Sequence, residues 1–311
     1  MFLVSLGNIS IMLLYALPGF ILCKIKKATA THLPTLSAVL VYVCSPCMIV
    51  NAFLNMPYSK VNLGYMGLFF VCSFVLQILF MLGLWLIFGK KYENGQYRVL
   101  TVGSVMGNVG FLGLPIVKAL FPQSPEAVCY SATYVISMNI LVFTMGVFCI
   151  TGNKKYISLK SALLNPSTVS GALALPLYIF GVGARLASAG FAPLLNAVAL
   201  LGNATTPLCM IILGVRLATV RFTSLFTNPV VYLTCACKLL LFPLFCYLAV
   251  FFLPLPASFK ASMLILSAAP CASIILNLAE IHENETAFAA NIILLATLLC
   301  FLTISVLTLL L

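Results

Sequence analysis

The sequence contains no aspartate, and its acidic residues are five glutamates, Glu93, Glu126, Glu280, Glu283 and Glu285. It has two histidines, His32 and His282, far apart, and no His-x-x-x-His or Ser/His/Asp set. Those gaps remove most hydrolytic and metal-dependent schemes, so no enzyme activity, metal site or cofactor is expected. Charge itself is scarce. Only 7% of the 311 residues are charged, against about a quarter in a soluble domain, while 63% are hydrophobic and the mean hydropathy is +1.19. Such a chain cannot cover a water-facing surface, and an all-α integral membrane protein follows.

A spanning helix needs about 20 mainly apolar residues, because each residue rises about 1.5 Å across about 30 Å of hydrocarbon. Ten such runs are expected, near 2–23, 34–56, 64–89, 99–121, 126–150, 167–184, 191–215, 229–253, 258–281 and 287–311. The first lacks the basic flank and small-residue end of a cleavable leader, so it counts as the first span. The loops are short, and the longest, TGNKKYISLKSALLNP, lies mid-chain. Loops after odd-numbered runs hold eleven Lys and Arg, from Lys24 to Arg221, whereas loops after even-numbered runs hold four, Lys60, Lys118, Arg185 and Lys260. Basic residues accumulate in short cytoplasmic loops, so both termini are expected outside a plasma or inner membrane, with multiple passes. The net charge of +11 is then a topology signal, with membrane lipid as partner and no nucleic acid.

The twelve cysteines fall almost entirely inside apolar runs, where a thiol behaves as a small apolar group. Cys44 and Cys47 have redox spacing but no thioredoxin-like context. Triplets of the glycosylation type at Asn8 and Asn284 are common by chance and carry no weight.

Two halves align loosely. Cys44-Ser45-Pro46-Cys47-Met48-Ile49 sets against Thr205-Thr206-Pro207-Leu208-Cys209-Met210, and Leu17-Pro18 against Leu175-Pro176. Five runs in each half put the second half into the membrane in the opposite sense, so two inverted five-helix repeats are expected, 1–150 and 167–311, joined by a cytoplasmic linker at 151–166. Transporters of that kind bind at interrupted helices in matching positions. The fourth run carries GNVGFLGLP, residues 107 to 115, and the ninth carries SAAPCASIILNLAE with Pro270 near its middle. A helix broken there frees backbone N–H and C=O groups that protein, water or solute must satisfy. Glycine spacing also serves close packing, but packing leaves Asn108 without a role.

At these residues the chain resembles the auxin efflux carrier family, membrane transport proteins that include plant PIN auxin exporters and bacterial malate or malonate permeases. SPCMIVNAFLNM resembles the family's Pro-containing second helix, and Asn108 to Pro115 keeps its Asn, Gly and Pro spacing. Lys238 precedes Pro243 by five residues as in the family's eighth helix, while Ala269-Pro270 and ATLLCFLTISVL resemble its ninth and tenth. The resemblance implies ten helices with crossed, broken fourth and ninth helices holding an organic anion, an elevator-type movement, and a homodimer. Two features depart from the plant exporters: Gly107 stands where they have proline, and their long central loop is short here.

Binding is expected at Gly107, Asn108, Gly110, Asn203, Lys238, Pro270, Cys271 and Asn277, with Pro46, Gly113, Pro115 and Pro207 as breaks or hinges. Asn51 and Asn139 are weaker cases of the same kind. Lys238 lies about ten residues into an apolar run, too deep to reach water easily, and serves either to attract an anion or to bind helix carbonyls. Glu280 is the one acidic residue that could sit within a run, as a proton-coupling group or a solvated helix end. One deep lysine, neutral amides and half-helix ends favour a small organic anion over a cation. The expected function is a carrier, an efflux permease for a carboxylate such as malate or an auxin-like acid. A proton- or sodium-coupled symporter is the alternative, and a membrane enzyme or receptor the remote one.

Overall fold

The structure, a computed structural model, describes residues 7, 10–11, 14–219, 228–281 and 285–311. Asn8, Arg221, His282, Glu283 and Asn284 of the sequence reading lie outside the described residues. Fourteen helices carry the description: α1 Leu17–Lys24, α2 Leu33–Leu54, α3 Lys60–Phe88, α4 Gly95–Gly103, α5 Val109–Leu120, α6 Pro125–Thr151, α7 Leu159–Leu163, α8 Pro166–Ile179, α9 Val182–Ser188, α10 Ala192–Thr219, α11 Pro229–Phe251, α12 Ala257–Ser267, α13 Ile274–Ile281 and α14 Thr286–Leu307.

The expected ten spans in two inverted repeats are corrected by this architecture. Six helices among the described residues are long and apolar enough to cross a membrane: α2, α3, α6, α10, α11 and α14. A seventh counts only if Lys154–Leu163 and Pro166–Ile179, bent by 41°, act as one span. The other expected runs fail for local reasons. Residues 99–121 and 258–281 are each divided between two short helices, and 2–23 supplies a described helix only over Leu17–Lys24. The paired prolines also sit differently: Pro46 lies within a continuous span, whereas Pro207 falls in the first turn after α10 is interrupted at Ala204, and Pro18 opens a helix whereas Pro176 is inside one. The fold is an all-α bundle with six, or up to seven, candidate spans.

Proline shapes several of these helices. Wide π-helical turns at Leu40–Cys44, Val109–Gly113 and Cys237–Leu241 each end two residues before a proline, Pro46, Pro115 and Pro243. A proline ring collides with the carbonyl four residues back and offers no N–H to it, and the widened turn accommodates both faults without ending the helix. A fourth such turn, Val142–Gly146, has no proline after it.

Glycine sets close contacts between helices. Gly19 of α1 meets the carbonyl of Ile211, and Gly214 of α10 meets the carbonyl of Ala16, so each helix lays its backbone on the other's glycine. In the interior, Phe69 of α3 stacks on Tyr130 of α6 at 5.0 Å and meets Phe259 of α12 edge-on at 4.7 Å. The outer faces stay apolar, with Trp85, Leu86 and Ile87 of α3 and Leu200 of α10 exposed, as lipid contact requires.

Candidate functional site: a cavity beside two broken helices

Between α4 and α5 the chain leaves the helix over residues 104–108, and between α12 and α13 over 268–273. These two segments pair antiparallel, with Gly107 opposite Cys271. The N–H of Asn108 donates to the carbonyl of Pro270 at 2.6 Å, and the N–H of Ala272 donates to that of Met106 at 3.0 Å. The Cys271 thiol donates to the Gly103 carbonyl at 3.3 Å. Each break therefore satisfies groups that the other frees, which an apolar surrounding demands. Gly107 is needed for the approach, because a Cβ there would lie 3.0 Å from Lys238 Nζ and 3.2 Å from the Ala269 carbonyl oxygen.

Lys238 of α11 is fully buried at this crossing. Its ammonium donates to the carbonyls of Val105 and Ser267, both at 2.9 Å, and sits 4.8 Å from the centre of the Phe242 ring. The Ser267 carbonyl is the last of α12, where the helix dipole concentrates negative charge, and the Val105 carbonyl lies two residues past the end of α4, in the break. Lys238 does not line the cavity described next.

A cavity of about 650 Å³ lies beside the crossing. One wall comes from α2 and α10, including Ser37, Leu213 and Arg216; the facing wall comes from α5, α13 and α14, including Asn108, Asn277 and Glu280. Arg216 Nη1 donates to Ser273 Oγ at 3.2 Å across the gap. Asn108 immediately precedes α5 and Ser273 immediately precedes α13, so both helices begin at the cavity with the positive ends of their dipoles, although the N–H groups of Ile275 and Leu276 already donate back to the carbonyls of Ala272 and Ser273 at 3.1 Å. The Asn108 side chain does not cap α5. Leu33 at the start of α2, Thr219 at the end of α10 and Glu280 near the end of α13 place the cavity toward one end of the bundle.

The expected site residues are thus distributed. Asn108, Asn277 and Glu280 line the cavity, whereas Gly107, Lys238, Pro270 and Cys271 build the crossing behind it. Gly110 and Gly113 lie in the wide turn that opens α5, with Pro115 following; a Cβ on Gly110 would meet nothing within 4 Å. Asn203 is elsewhere, its side-chain oxygen accepting from Lys118 Nζ of α5 at 2.6 Å. Pro46 and Pro207 do not line the cavity. Asn139 binds the Thr168 hydroxyl at 3.1 Å, joining α6 to α8, and Asn51 accepts from the Asn55 amide at 2.9 Å. Arg216 and Ser273 were missed by sequence reasoning. A signal existed for the arginine, since Leu217-Ala218 continues the apolar pattern past it and keeps it inside a helix.

Among the described residues no group of three or more His, Cys, Asp or Glu is placed to hold a metal ion. A comparison with curated proteins gave no match. A family profile described as membrane transport protein matches residues 5–308, nearly the whole chain. With apolar helices in a multi-pass arrangement and a solute-sized cavity at two helix starts, the chain belongs to the membrane transport protein family, a family of transporters rather than enzymes.

Proposed function

We propose that the protein is a carrier for a small organic anion, and that the cavity between the α2/α10 wall and the α5/α13 wall is its solute site. The observation that carries this reading is the pairing of the Arg216 guanidinium with the starts of α5 and α13 in one cavity. A guanidinium holds a carboxylate through two parallel hydrogen bonds, and helix N-termini favour negative charge. Asn108, Ser273 and Asn277 add neutral polar groups that orient the solute without neutralising it. A cavity formed between two walls opens and closes when one slides past the other, which supports an elevator-type cycle.

The Lys24, Lys26 and Lys27 cluster follows α1 and precedes α2, at the cavity's end of the bundle. Basic residues gather on cytoplasmic faces, and on that ground we read this end as cytoplasmic, so the cavity opens inward. Outward movement of one negative charge across about 100 mV, inside negative, is favoured by about 2.3 kcal/mol, which sustains a roughly fifty-fold gradient. Voltage-driven export needs no coupling ion. Purified protein in liposomes, screened over small carboxylates including malate and auxin-like acids, tests the reading: flux of at least one acid is expected, lost in Arg216→Gln. Absence of flux for every acid, or undiminished flux in Arg216→Gln, overturns it.

One observation favours a second reading. Glu280 lines the same cavity, so its carboxylate could exchange a proton during the cycle. Strict dependence on a pH gradient, abolished in Glu280→Gln, would identify a proton-coupled carrier.

A further inference from the structure

The solute cavity leaves the most unusual group in the molecule unused. Lys238 is fully buried, does not line the solute cavity, and pairs with no carboxylate among the described residues of a chain that has no aspartate and five glutamates. A buried ammonium is costly unless its charge is met. Here it is met by backbone dipoles. The carbonyl of Val105, in the break after α4, and that of Ser267, the last residue of α12, converge on Nζ at 2.9 Å, and the Phe242 ring face closes a third side at 4.8 Å. Two carbonyl oxygens and an aromatic face are ligands that a free monovalent cation of ammonium type would also accept. Gly107 leaves the remaining side clear, since even a methyl group there would sit 3.0 Å from Nζ.

We infer that Lys238 is a tethered cation filling a monovalent-cation site made by the Val105 and Ser267 carbonyls where the chain leaves α4 and α12, and that its charge holds the two broken helices at their crossing. Without a positive charge, two carbonyl ends of like sign face each other and the Asn108 to Pro270 pairing loses its support. The butyl tether keeps the ammonium at high effective concentration, so the wild-type crossing draws no ion from solution. Truncating the tether exposes the site. Lys238 is then a positioning residue for Asn108, and this inference is independent of which solute the neighbouring cavity takes.

The test is the thermal stability of the full-length protein and of Lys238→Ala in detergent, with methylammonium or choline as the only added monovalent cation. Methylammonium reproduces the last carbon and ammonium of the lost side chain, whereas choline is too bulky to enter. The expected result is an upward shift of several degrees in the melting temperature of Lys238→Ala with methylammonium over choline, with no difference in the wild type. If Lys238→Ala is recovered folded only when membranes are solubilised in methylammonium, that selectivity supports the inference equally. Equal melting in both salts, equal recovery in both, or failure to recover folded protein in either overturns it. Because the measurement uses no transported solute, its outcome stands apart from whether the cavity carries an anion.

Discussion

The backbone N–H of Asn108 reaches the carbonyl of Pro270 at 2.6 Å, across 162 positions of sequence, and so ties the start of α5 to the break that precedes α13. The side chain of Asn108 is left to the cavity while its backbone is committed to the crossing. Replacing it with Leu keeps that backbone bond and removes only the amide. We expect a folded protein with solute affinity reduced by about 1–3 kcal/mol, measured as Kd by calorimetry on an acid that the liposome screen identifies. Unchanged affinity would remove Asn108 from the site.

Gly107→Ala attacks the crossing itself. The added methyl would press on Lys238 Nζ at 3.0 Å and on the Ala269 carbonyl at 3.2 Å, so the crossing must shift by a few tenths of an ångström. Overpacking of this kind costs about 1–3 kcal/mol, so a lower melting temperature with loss of transport is expected. Gly110→Ala, where a Cβ meets open space, is the control and should melt within a degree or two of the parent.

Gly19→Leu should act outside the cavity lining, since no residue of α1 lines it. Its side chain would collide with the backbone of α10 at Ile211, so α1 must leave its seat on α10. We expect a destabilised protein whose residual folded fraction still binds solute with normal Kd, a separation that thermal shift and binding measurements together reveal.

Cysteine labelling checks the orientation. In a cysteine-free background, a thiol placed at Lys26, at the cavity's end of the bundle, should resist a membrane-impermeant reagent in intact cells. The opposite pattern would turn the cavity outward and change the proposed direction of opening.

Several of these features were legible in the sequence because they depend on neighbours along the chain. The GNVGFLGLP stretch carries its helix-weakening residues in one place, and the depth of Lys238 follows from the apolar run around it. Span number was not legible, since hydropathy sums over a window and gives the same value whether residues 99–121 form one helix or two halves meeting at an irregular segment. The partners of Lys238 were not legible either: they are backbone carbonyls at Val105 and Ser267, and any residue type supplies a carbonyl. Arg216 was assigned to a loop because the apolar run was ended at Val215, while the helix continues to Thr219. That one boundary moved the cavity's guanidinium out of the membrane.

The hydrogen bond from Lys118 to Asn203 runs from α5 to α10, that is, from one wall of the cavity to the other. It touches no solute, so it contributes equally to the empty and the loaded form and leaves affinity alone. Under the proposed sliding of one wall past the other, this bond is a strut that has to part, and its energy, about 1 kcal/mol or somewhat more for a charged donor, would be added to the barrier of each half-cycle. Lys118→Met should therefore change turnover several-fold with Kd preserved, which makes this surface contact a clock on the carrier's return stroke.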